Sequence, residues 1–365
     1  MKFKKIAIVG LGLIGGSLAA AFKRKQIANY LIGIDYQSIV EKALNRKLVN
    51  EGYGLEDLNR GIHDADLIIL ATPIREILAL IPNVVQHVKQ GALITDVGST
   101  KEKIVQTALN CLTQGVYFLG GHPMTGSENR GLENADPFLF ENAIYVLTEN
   151  HNVPNVLVES LVEMLETIGA KVFFLPAKTH DEIAGMVSHL PQIIAVTLMY
   201  YVSKLSKSND VFLNLAAGGF RDMTRVAMSP YEIWTDIIGT NEKNIREAID
   251  QFIKELESIK ELLSDRELEY IFKQAAQHRL AIPKDMRGFL RPHFDISVVV
   301  EDKPGMIAAI STILAQENIN IKDIEVMKVR EREAGMLRLA FESEKDRERS
   351  INLLVKNGFQ VSMRD

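Results

Sequence analysis

The chain has a single cysteine, Cys111, among its 365 residues. One thiol excludes an internal disulfide and a cysteine-based zinc site, and it fits a reducing compartment. The chain also lacks a run of lysine and arginine, and its net charge is −5, so we expect no nucleic-acid surface. We find no stretch of the ~18 consecutive apolar residues that a membrane span needs. Glycines interrupt the N-terminal apolar run 7–22, which lacks the cleavage region of a signal peptide. These absences predict a cytoplasmic protein with no membrane partner.

What remains is the composition of a globular protein, 47% hydrophobic and 24% charged. At this length two or three domains are expected. Residues 1–178 alternate short, continuously apolar runs with helical patterns, which is typical of a parallel, doubly wound sheet covered on both faces. The runs predicted to be strands are 5–10, 30–35, 66–73, 92–98, 116–121, 143–149 and 171–176.

The pattern changes twice after that segment. Residues 179–282 show no convincing strand and are predicted to be all α-helical. Within them, 188–205 is apolar around most of its circumference, so we expect a buried helix that needs the cover of a second copy of the chain. Residues 283–292 are predicted to be a linker. Residues 293–365 have the order βαββαβ, a small sheet with two helices.

The strongest local motif is VGLGLIGGSLA, in which Gly10, Gly12 and Gly15 have the spacing G-x-G-x-x-G between a strand and a helix. Such glycines allow a tight turn, the approach of a pyrophosphate and close helix packing. Asp35 ends the second predicted strand, where a carboxylate can bind the ribose hydroxyls and repel a 2′-phosphate. The motif therefore predicts NAD rather than NADP; the alternative is that the glycines serve only as turn residues. The other residues predicted to bind the cofactor are Leu13, Ile14, Thr72 and Pro73.

His122 is the first candidate for acid–base chemistry. It lies in GGHPMTGSENRG, at the carboxyl end of the predicted strand 116–121. In an open parallel sheet that edge is where cofactor and substrate bind. A neutral imidazole there can accept a hydrogen bond from a substrate hydroxyl and then its proton. The alternative is a structural histidine.

Several motifs in order carry a family resemblance: GLGLIGGS, DVGSTK (96–101), GHPMTGSE (121–128), SHLP (188–191) and GGFRDMTRVA (218–227). With these motifs the chain resembles the prephenate dehydrogenase family of tyrosine biosynthesis over essentially its whole length. The C-terminal segment resembles an ACT domain, an amino-acid-binding module, through EDKPGMIAAI and NINIKDI. The resemblance implies an NAD-dependent oxidative decarboxylation of prephenate to 4-hydroxyphenylpyruvate that needs no metal.

The resemblance also implies roles for individual residues. His122 would be the catalytic base, and Ser99 would orient its ring, although Ser99 is also a candidate helix N-cap. Arg225 would bind the ring carboxylate of the substrate, because a guanidinium binds a carboxylate bidentately. His189 would lie at the cleft, or else be a hydrogen-bonded core histidine. The remaining substrate-binding residues would be Ser127, Glu128 and Gln192, the last at a position where many relatives carry histidine.

In the C-terminal segment the resemblance places a regulatory site for L-tyrosine at Asp302, Pro304, Gly305 and Asn320. Pro304 and Gly305 are predicted to start a helix, and Asn320 is predicted to open the second strand. The alternative is that this domain only dimerises the chain. Two other functions stay open. One is arogenate dehydrogenase activity, and the other is a catalytically inactive NAD and amino-acid sensor. We expect a homodimer formed through the helical domain.

Overall fold

The computed structural model describes residues 3–126, 130–150, 152–206, 211–281, 294–301, 303–327 and 335–364. The chain forms two compact units, Met1–Leu280 and Ala281–Asp365. The predicted linker 283–292 falls between the described ranges 211–281 and 294–301.

The first unit begins with a six-stranded parallel sheet in the order β3-β2-β1-β4-β5-β6. Its strands are β1 Lys5–Val9, β2 Tyr30–Ile34, β3 Glu51–Tyr53, β4 Leu67–Leu70, β5 Leu93–Asp96 and β6 Tyr117–Leu119. Its helices are α1 Leu13–Lys25, α2 Gln37–Asn45, α3 Leu58–Ile62, α4 Ile74–His87 and α5 Glu102–Cys111. Two apolar cores bury both faces of the sheet, which is why its strands are continuously apolar. The predicted α/β class is thus confirmed, with β3 as a strand that the sequence pattern did not reveal.

A second sheet of three strands follows, β7-β8-β9. It consists of β7 Gly121–Pro123, β8 Ile144–Thr148 and β9 Lys171–Leu175, with α6 Asn155–Thr167 between the last two. The strand β7 runs antiparallel to β8, and β8 runs parallel to β9. The sequence predicted one strand over 116–121. In the structure this segment is divided at Gly120 between the two sheets, because Thr148 Oγ1 accepts the Gly120 N–H at 3.0 Å. His122 consequently lies within β7 of the second sheet, and not in a loop that follows the parallel sheet.

The rest of the first unit is helical, as predicted. The elements are α7 Ala177–Ala184, a π-helical turn Gly185–His189, α8 Leu190–Ser206, α9 Val211–Asn214, α10 Gly218–Thr224, a 3₁₀ turn Arg225–Met228, α11 Tyr231–Glu261 and α12 Glu267–Ala281. The helix α11 has one non-helical residue, Asn241.

The continuous helical run Ala177–Ser206 is, by length and composition alone, long and apolar enough to cross a membrane, although polar residues interrupt it and it contains no 18 consecutive apolar residues. The run is also only partly buried within one chain, since Val187, Tyr200 and Tyr201 are each at least 60% exposed. Its polar residues His189 and Gln192 are buried against the rest of the unit. That burial is a property of a helix packed in protein.

The second unit has a four-stranded antiparallel sheet in the order β11-β12-β10-β13. Its elements are β10 Phe294–Val300, α13 Met306–Gln316, β11 Asp323–Met327, β12 Gly335–Phe341, α14 Glu344–Lys356 and β13 Gln360–Arg364. This is the predicted order βαββαβ. Gly305 caps α13 with φ +96°, in the left-handed region. Asn320 does not open the second strand as predicted. It lies three residues before β11, in the exposed connection from α13.

Candidate active site

The glycine loop between β1 and α1 has the geometry of a dinucleotide-binding turn. Gly10 has φ +93°, and a Cβ there would lie 2.7 Å from the backbone of Ala71. A Cβ on Gly15 would lie 1.9 Å from the carbonyl oxygen of Gly10. A Cβ on Gly12, in contrast, would meet no protein atom within 4 Å. The first and third glycines are thus required by the packing of the loop, whereas the second leaves its outer face open to a ligand.

Asp35 lies directly after β2 and binds the same loop. Its Oδ2 accepts a hydrogen bond from the backbone N–H of Leu11 at 2.6 Å, and its Oδ1 accepts one from the N–H of Tyr36 at 2.6 Å. The carboxylate is therefore held next to the loop where the phosphates of a dinucleotide would bind. This is the position from which it can bind ribose hydroxyls.

A cavity of about 400 Å³ opens over the loop. Its lining includes Gly12, Leu13, Ile14, Thr72, Pro73, Gly98, Ser99, Thr125, Gly126, Ile233 and Asp236. Most of the predicted cofactor residues and Ser99 are thus brought together, and Ile233 and Asp236 of α11 close the other wall. Thr72 Oγ1 is buried and has no hydrogen-bond partner among the described residues. The open face of Gly12 and this unpartnered hydroxyl fit a dinucleotide.

His122 is held by a second histidine that the sequence did not single out. Its Nδ1 lies 2.8 Å from Nε2 of His180, and the two rings meet edge to face at 5.0 Å. His180 Nδ1 lies 2.7 Å from Oδ1 of Asp181. Burial lowers the pKa of His122 well below its usual value, and His180, Lys101 and His189 lower it further. His122 is therefore a neutral imidazole at physiological pH.

A buried ion pair fixes the backbone next to His122. Lys101 and Asp96 are both fully buried and form a short ion pair. The Lys101 ammonium also donates to the carbonyl of Gly121 at 2.7 Å, and Asp96 Oδ1 accepts the N–H of Gly121 at 3.2 Å. Burial lowers the pKa of Lys101, and the charge of Asp96 opposes that shift. Both hydrogen-bonding groups of Gly121 are thus held, which fixes the start of β7.

His189 ends the π-helical turn that precedes α8. Its ring is 1% exposed, packs edge to face on Trp234 at 5.8 Å and accepts a hydrogen bond at Nδ1 from Asn241 Nδ2 at 3.1 Å. The same amide nitrogen donates to the carbonyl of Asp181 at 2.8 Å, which fixes its orientation. Burial lowers the pKa of His189 to about 4. A neutral His189 that accepts at Nδ1 carries its proton on Nε2. Such π-helical turns are frequent at functional sites.

Of the other predicted substrate residues, Gln192 and Arg225 lie within the described ranges. Gln192 is buried, and its Nε2 donates to the carbonyl of Val226 at 2.9 Å, so it supports the 3₁₀ turn that Arg225 begins. Arg225 is exposed. Ser127 and Glu128 lie outside the described residues, as does Asp302 of the regulatory site. The hydrogen bond expected between Ser99 and His122 is not made in this structure, where His122 Nδ1 bonds to His180 instead.

The residues that sequence reasoning missed are those that support His122: Asp96, Lys101, His180, Asp181 and Asn241. Asp96 and Lys101 lie in the quoted motif DVGSTK, so only their burial was unforeseen. The pair His180–Asp181 lies just ahead of SHLP, in a stretch that no motif covered. Its only signal was a histidine followed by a carboxylate at the start of a helix.

Three family models match the chain. They are described as prephenate dehydrogenase, nucleotide-binding domain, over residues 18–174; prephenate dehydrogenase, dimerization domain, over 176–277; and ACT domain, over 294–356. The prephenate dehydrogenase of Bacillus subtilis is 35% identical over 352 residues, which cover 94% of each chain. The chain belongs to the prephenate dehydrogenase family.

Two solved structures of relatives resemble the chain. Prephenate dehydrogenase from Aquifex aeolicus, crystallised with hydroxyphenyl propionate and NAD⁺, has a TM-score of 0.72 at 29% identity and covers 78% of this chain and 99% of its own. Synechocystis arogenate dehydrogenase has a TM-score of 0.67 at 33% identity and covers 76% of this chain and 100% of its own. These relationships confirm the resemblance, the fold class and the expected dehydrogenase activity.

Proposed function

We propose that the protein catalyses the NAD-dependent oxidative decarboxylation of prephenate to 4-hydroxyphenylpyruvate. The observation that carries the proposal is the neutral, part-buried His122 in β7, three residues before Thr125 of the nucleotide cavity. A reaction that removes a hydride from a carbinol carbon needs such an acceptor for the hydroxyl proton.

NAD is the cofactor, and it supplies the hydride acceptor of the reaction. Gly12 leaves room for its phosphates, and the carboxylate of Asp35 lies where it would bind the ribose hydroxyls. The same carboxylate repels the 2′-phosphate of NADP. Leu13, Ile14, Thr72 and Pro73 complete the wall of the cavity. The Aquifex aeolicus relative, solved with NAD⁺, supports this assignment.

His122 takes the hydroxyl proton as the ring carbon loses its hydride. The hydroxyl becomes a carbonyl, loss of CO₂ makes the ring aromatic, and the proton on His122 can return to the phenolate oxygen. Overall, prephenate and NAD⁺ give 4-hydroxyphenylpyruvate, CO₂ and NADH. Ser99 lines the nucleotide cavity and is proposed as the second catalytic residue.

Cationic and N–H donor groups hold the substrate. Arg225 is the partner of the ring carboxylate, because its fork-shaped guanidinium binds a carboxylate through two hydrogen bonds. Gln192 supports the turn on which Arg225 lies. His189 offers an N–H at Nε2, which suits a carboxylate or a carbonyl oxygen of a ligand. Ser127 and Glu128 complete the proposed substrate site.

Prephenate is proposed as the substrate because the prephenate dehydrogenase of Bacillus subtilis matches 94% of this chain, including the ACT domain. The solved relatives of similar coverage include a prephenate dehydrogenase and an arogenate dehydrogenase. The two substrates differ only in the side chain, where arogenate carries an amino group in place of the keto group. Arogenate dehydrogenase activity is therefore the second candidate function.

L-tyrosine is the proposed feedback inhibitor, bound at the ACT domain through Asp302, Pro304, Gly305 and Asn320. The exposed N-terminus of α13 after Gly305 supports this, because the first-turn N–H groups of a helix attract a carboxylate. A cavity in the same domain is lined instead by α14 and by Glu317 and Ile319, which follow α13 and precede Asn320. Inhibition requires that tyrosine bind one conformation better than another.

The protein is proposed to be a cytoplasmic homodimer. The family model over 176–277 is described as a dimerization domain. Within it, Val187, Val196, Tyr200 and Tyr201 of the long helical run are exposed apolar side chains, and a second copy would cover them. We divide the chain into an NAD-binding domain 1–178, a helical domain 179–282, a linker 283–292 and an ACT domain 293–365.

One assay tests the activity. The purified protein is mixed with NAD⁺ or NADP⁺ and with prephenate, arogenate or a simple 2-hydroxy acid, and NADH formation is followed by absorbance. We expect the highest kcat/KM with prephenate and NAD⁺. A higher kcat/KM with arogenate would reassign the substrate, and turnover of none of them would contradict the proposed reaction and favour an inactive sensor of NAD and amino acids.

A further inference from the structure

Three side chains form a continuous hydrogen-bonded row that ends at the proposed base. Asp181 Oδ1 contacts His180 Nδ1 at 2.7 Å, and His180 Nε2 contacts His122 Nδ1 at 2.8 Å. Asp181 and His180 are 1% and 2% exposed, so water does not compete for these contacts.

The proton positions in this row follow from its far end. Asp181 accepts the backbone N–H of Lys101 at Oδ1, at 2.6 Å, and that of Glu102 at Oδ2, at 2.9 Å, as an ionised carboxylate does. An acceptor-only carboxylate requires the proton of His180 to lie on Nδ1. A neutral His180 then has its lone pair on Nε2 and accepts the Nδ1–H of His122. The lone pair of His122 is left on Nε2, the nitrogen that must receive the substrate proton.

The row is held rigidly at both ends. Asp181 is fixed by the two backbone N–H groups at the start of α5, and its own carbonyl accepts a hydrogen bond from Asn241 at 2.8 Å. The strand that carries His122 is fixed at Gly121 by Lys101. A ring held in this way cannot exchange its tautomer without breaking a buried hydrogen bond.

We propose that His180 and Asp181 are positioning residues that hold His122 in the Nδ1–H tautomer, with Nε2 ready to accept the hydroxyl proton of the substrate. This inference rests on the proposed role of His122 as the base. When the O–H bond breaks, its proton forms an N–H bond at Nε2 of His122. The positive charge of the imidazolium is then shared through His180 with the carboxylate of Asp181.

The tautomer can be measured without substrate. The protein, labelled with ¹⁵N-histidine, is studied by two-dimensional NMR of the imidazole nitrogens. The signal of His122 is assigned by its loss in His122→Asn, and the other seven histidines serve as references. We expect the Nδ1–H form of His122 in the wild type and a shift toward a mixture of both forms in His180→Phe. The Nε2–H form in the wild type, or an unchanged tautomer in His180→Phe, would overturn the proposal. Because no turnover is needed, this result stands whether or not prephenate is the substrate.

Steady-state kinetics test whether loss of the His180 contact slows catalysis by His122. We expect His180→Phe to lower kcat about 10–100-fold, part of the ~10²–10⁴-fold that a positioned base supplies. The KM for prephenate and the Kd for NAD should change less than about threefold, since His180 is 2% exposed and does not line the nucleotide cavity. His180→Gln can accept from His122 and donate to Asp181, so it should recover part of the lost kcat.

A double-mutant cycle separates positioning from a structural role. In the His122→Asn background, His180→Phe should change kcat less than about twofold, because no base is left to position. The same loss in both backgrounds would overturn the proposal. The matched control is Thr148→Val, which removes a buried hydrogen bond to Gly120, next to β7, without touching the row. It should leave kcat within about threefold of the wild type; a loss as large as that of His180→Phe would assign the effect to the strand and not to the row.

Discussion

His122 owes its proposed role to its surroundings. Burial and the neighbouring His180, Lys101 and His189 keep its ring neutral, although an exposed histidine would be partly protonated near pH 6.5. The same surroundings exclude water from its Nδ1 side. A histidine becomes an efficient base where the protein fixes both its charge and its proton position.

Replacing that ring tests its role directly. We expect His122→Asn to lower kcat with prephenate about 10²–10⁴-fold, the usual contribution of a positioned base. NAD binding should persist, because His122 does not line the nucleotide cavity. Steady-state kinetics give kcat with prephenate, and calorimetric titration gives the Kd for NAD. Near-normal kcat in the variant would show that another group takes the proton.

The lowered pKa of His122 predicts the acidic limb of the pH profile. A base is active when it is unprotonated, and His122 stays so at pH values well below 6.5. We therefore expect kcat/KM to be flat from pH 8 to 6.5 and to fall only as the pH drops well below that range. Initial rates across this range, with prephenate far below KM, give the profile. An acidic limb centred at about pH 6.5 or above would contradict the buried, neutral state.

The folding stability of the protein must be measured over the same pH range. The pKa of His189 is about 4 in the folded chain and near 6.5 when unfolded. Below pH 6.5 the unfolded chain therefore binds a proton that the folded chain does not, and stability falls as the pH drops from 6.5 toward 4. A denaturant titration at each pH shows where the enzyme remains folded, and only those rates enter the profile.

At the scale of elements, the glycine loop offers a paired test. A Cβ on Gly12 has free space, whereas a Cβ on Gly15 would collide with the carbonyl of Gly10. We expect Gly12→Ala to keep its melting temperature within about 2 °C but to raise the Kd for NAD about tenfold or more, because the methyl group occupies the approach of the pyrophosphate. Gly15→Ala should instead lower the melting temperature clearly. Unchanged NAD affinity in Gly12→Ala would place the phosphates elsewhere.

The elements also show what local sequence can and cannot predict. The loop at Gly10–Gly15 and the carboxylate of Asp35 were predictable, because glycine spacing and strand ends are local patterns. The row from Asp181 to His122 was not, because it joins residues 58 apart in sequence through a contact of two side chains. The short strand β7 was missed for a similar reason. Its pairing with β8 is a long-range contact, and nothing in VYFLGG marks where one sheet ends and the next begins.

At the π-helical turn that ends at His189, one feature follows from local sequence and another depends on a long-range contact. Pro191, the second residue of α8, has no N–H to donate within a helix, so a helical irregularity near it is expected from sequence. The irregularity occurs before the proline, in Gly185–His189, where Asn241 of α11 holds His189 from the opposite side. Sequence located the disturbance within a few residues, but the partner that fixes its form lies 52 residues away.

At the scale of the whole molecule, the chain separates into two compact units with their own hydrophobic cores. The glycine loop, the cavity, His122, His189 and Arg225 all belong to the first unit. The second is the ACT domain, with its core between one face of the sheet and two helices. The proposed catalytic residues and the proposed regulatory site therefore lie in different compact units of one chain.

That separation predicts the effect of truncation after Arg291. The first unit retains its core and every proposed catalytic residue, so the truncated enzyme should keep kcat and KM within about threefold of the full chain. Inhibition by L-tyrosine should weaken strongly, because the proposed site of Asp302, Pro304, Gly305 and Asn320 is gone. Some competitive inhibition is expected to remain, since tyrosine resembles the product and can compete for the proposed substrate site. Initial rates against prephenate at several tyrosine concentrations, with both proteins at equal subunit concentration, supply the comparison. Gel filtration of both shows whether the assembly is preserved. If tyrosine inhibited the truncated enzyme with the same strength and the same competitive pattern, its regulatory site would lie in the first unit, and the role proposed for the ACT domain would be wrong.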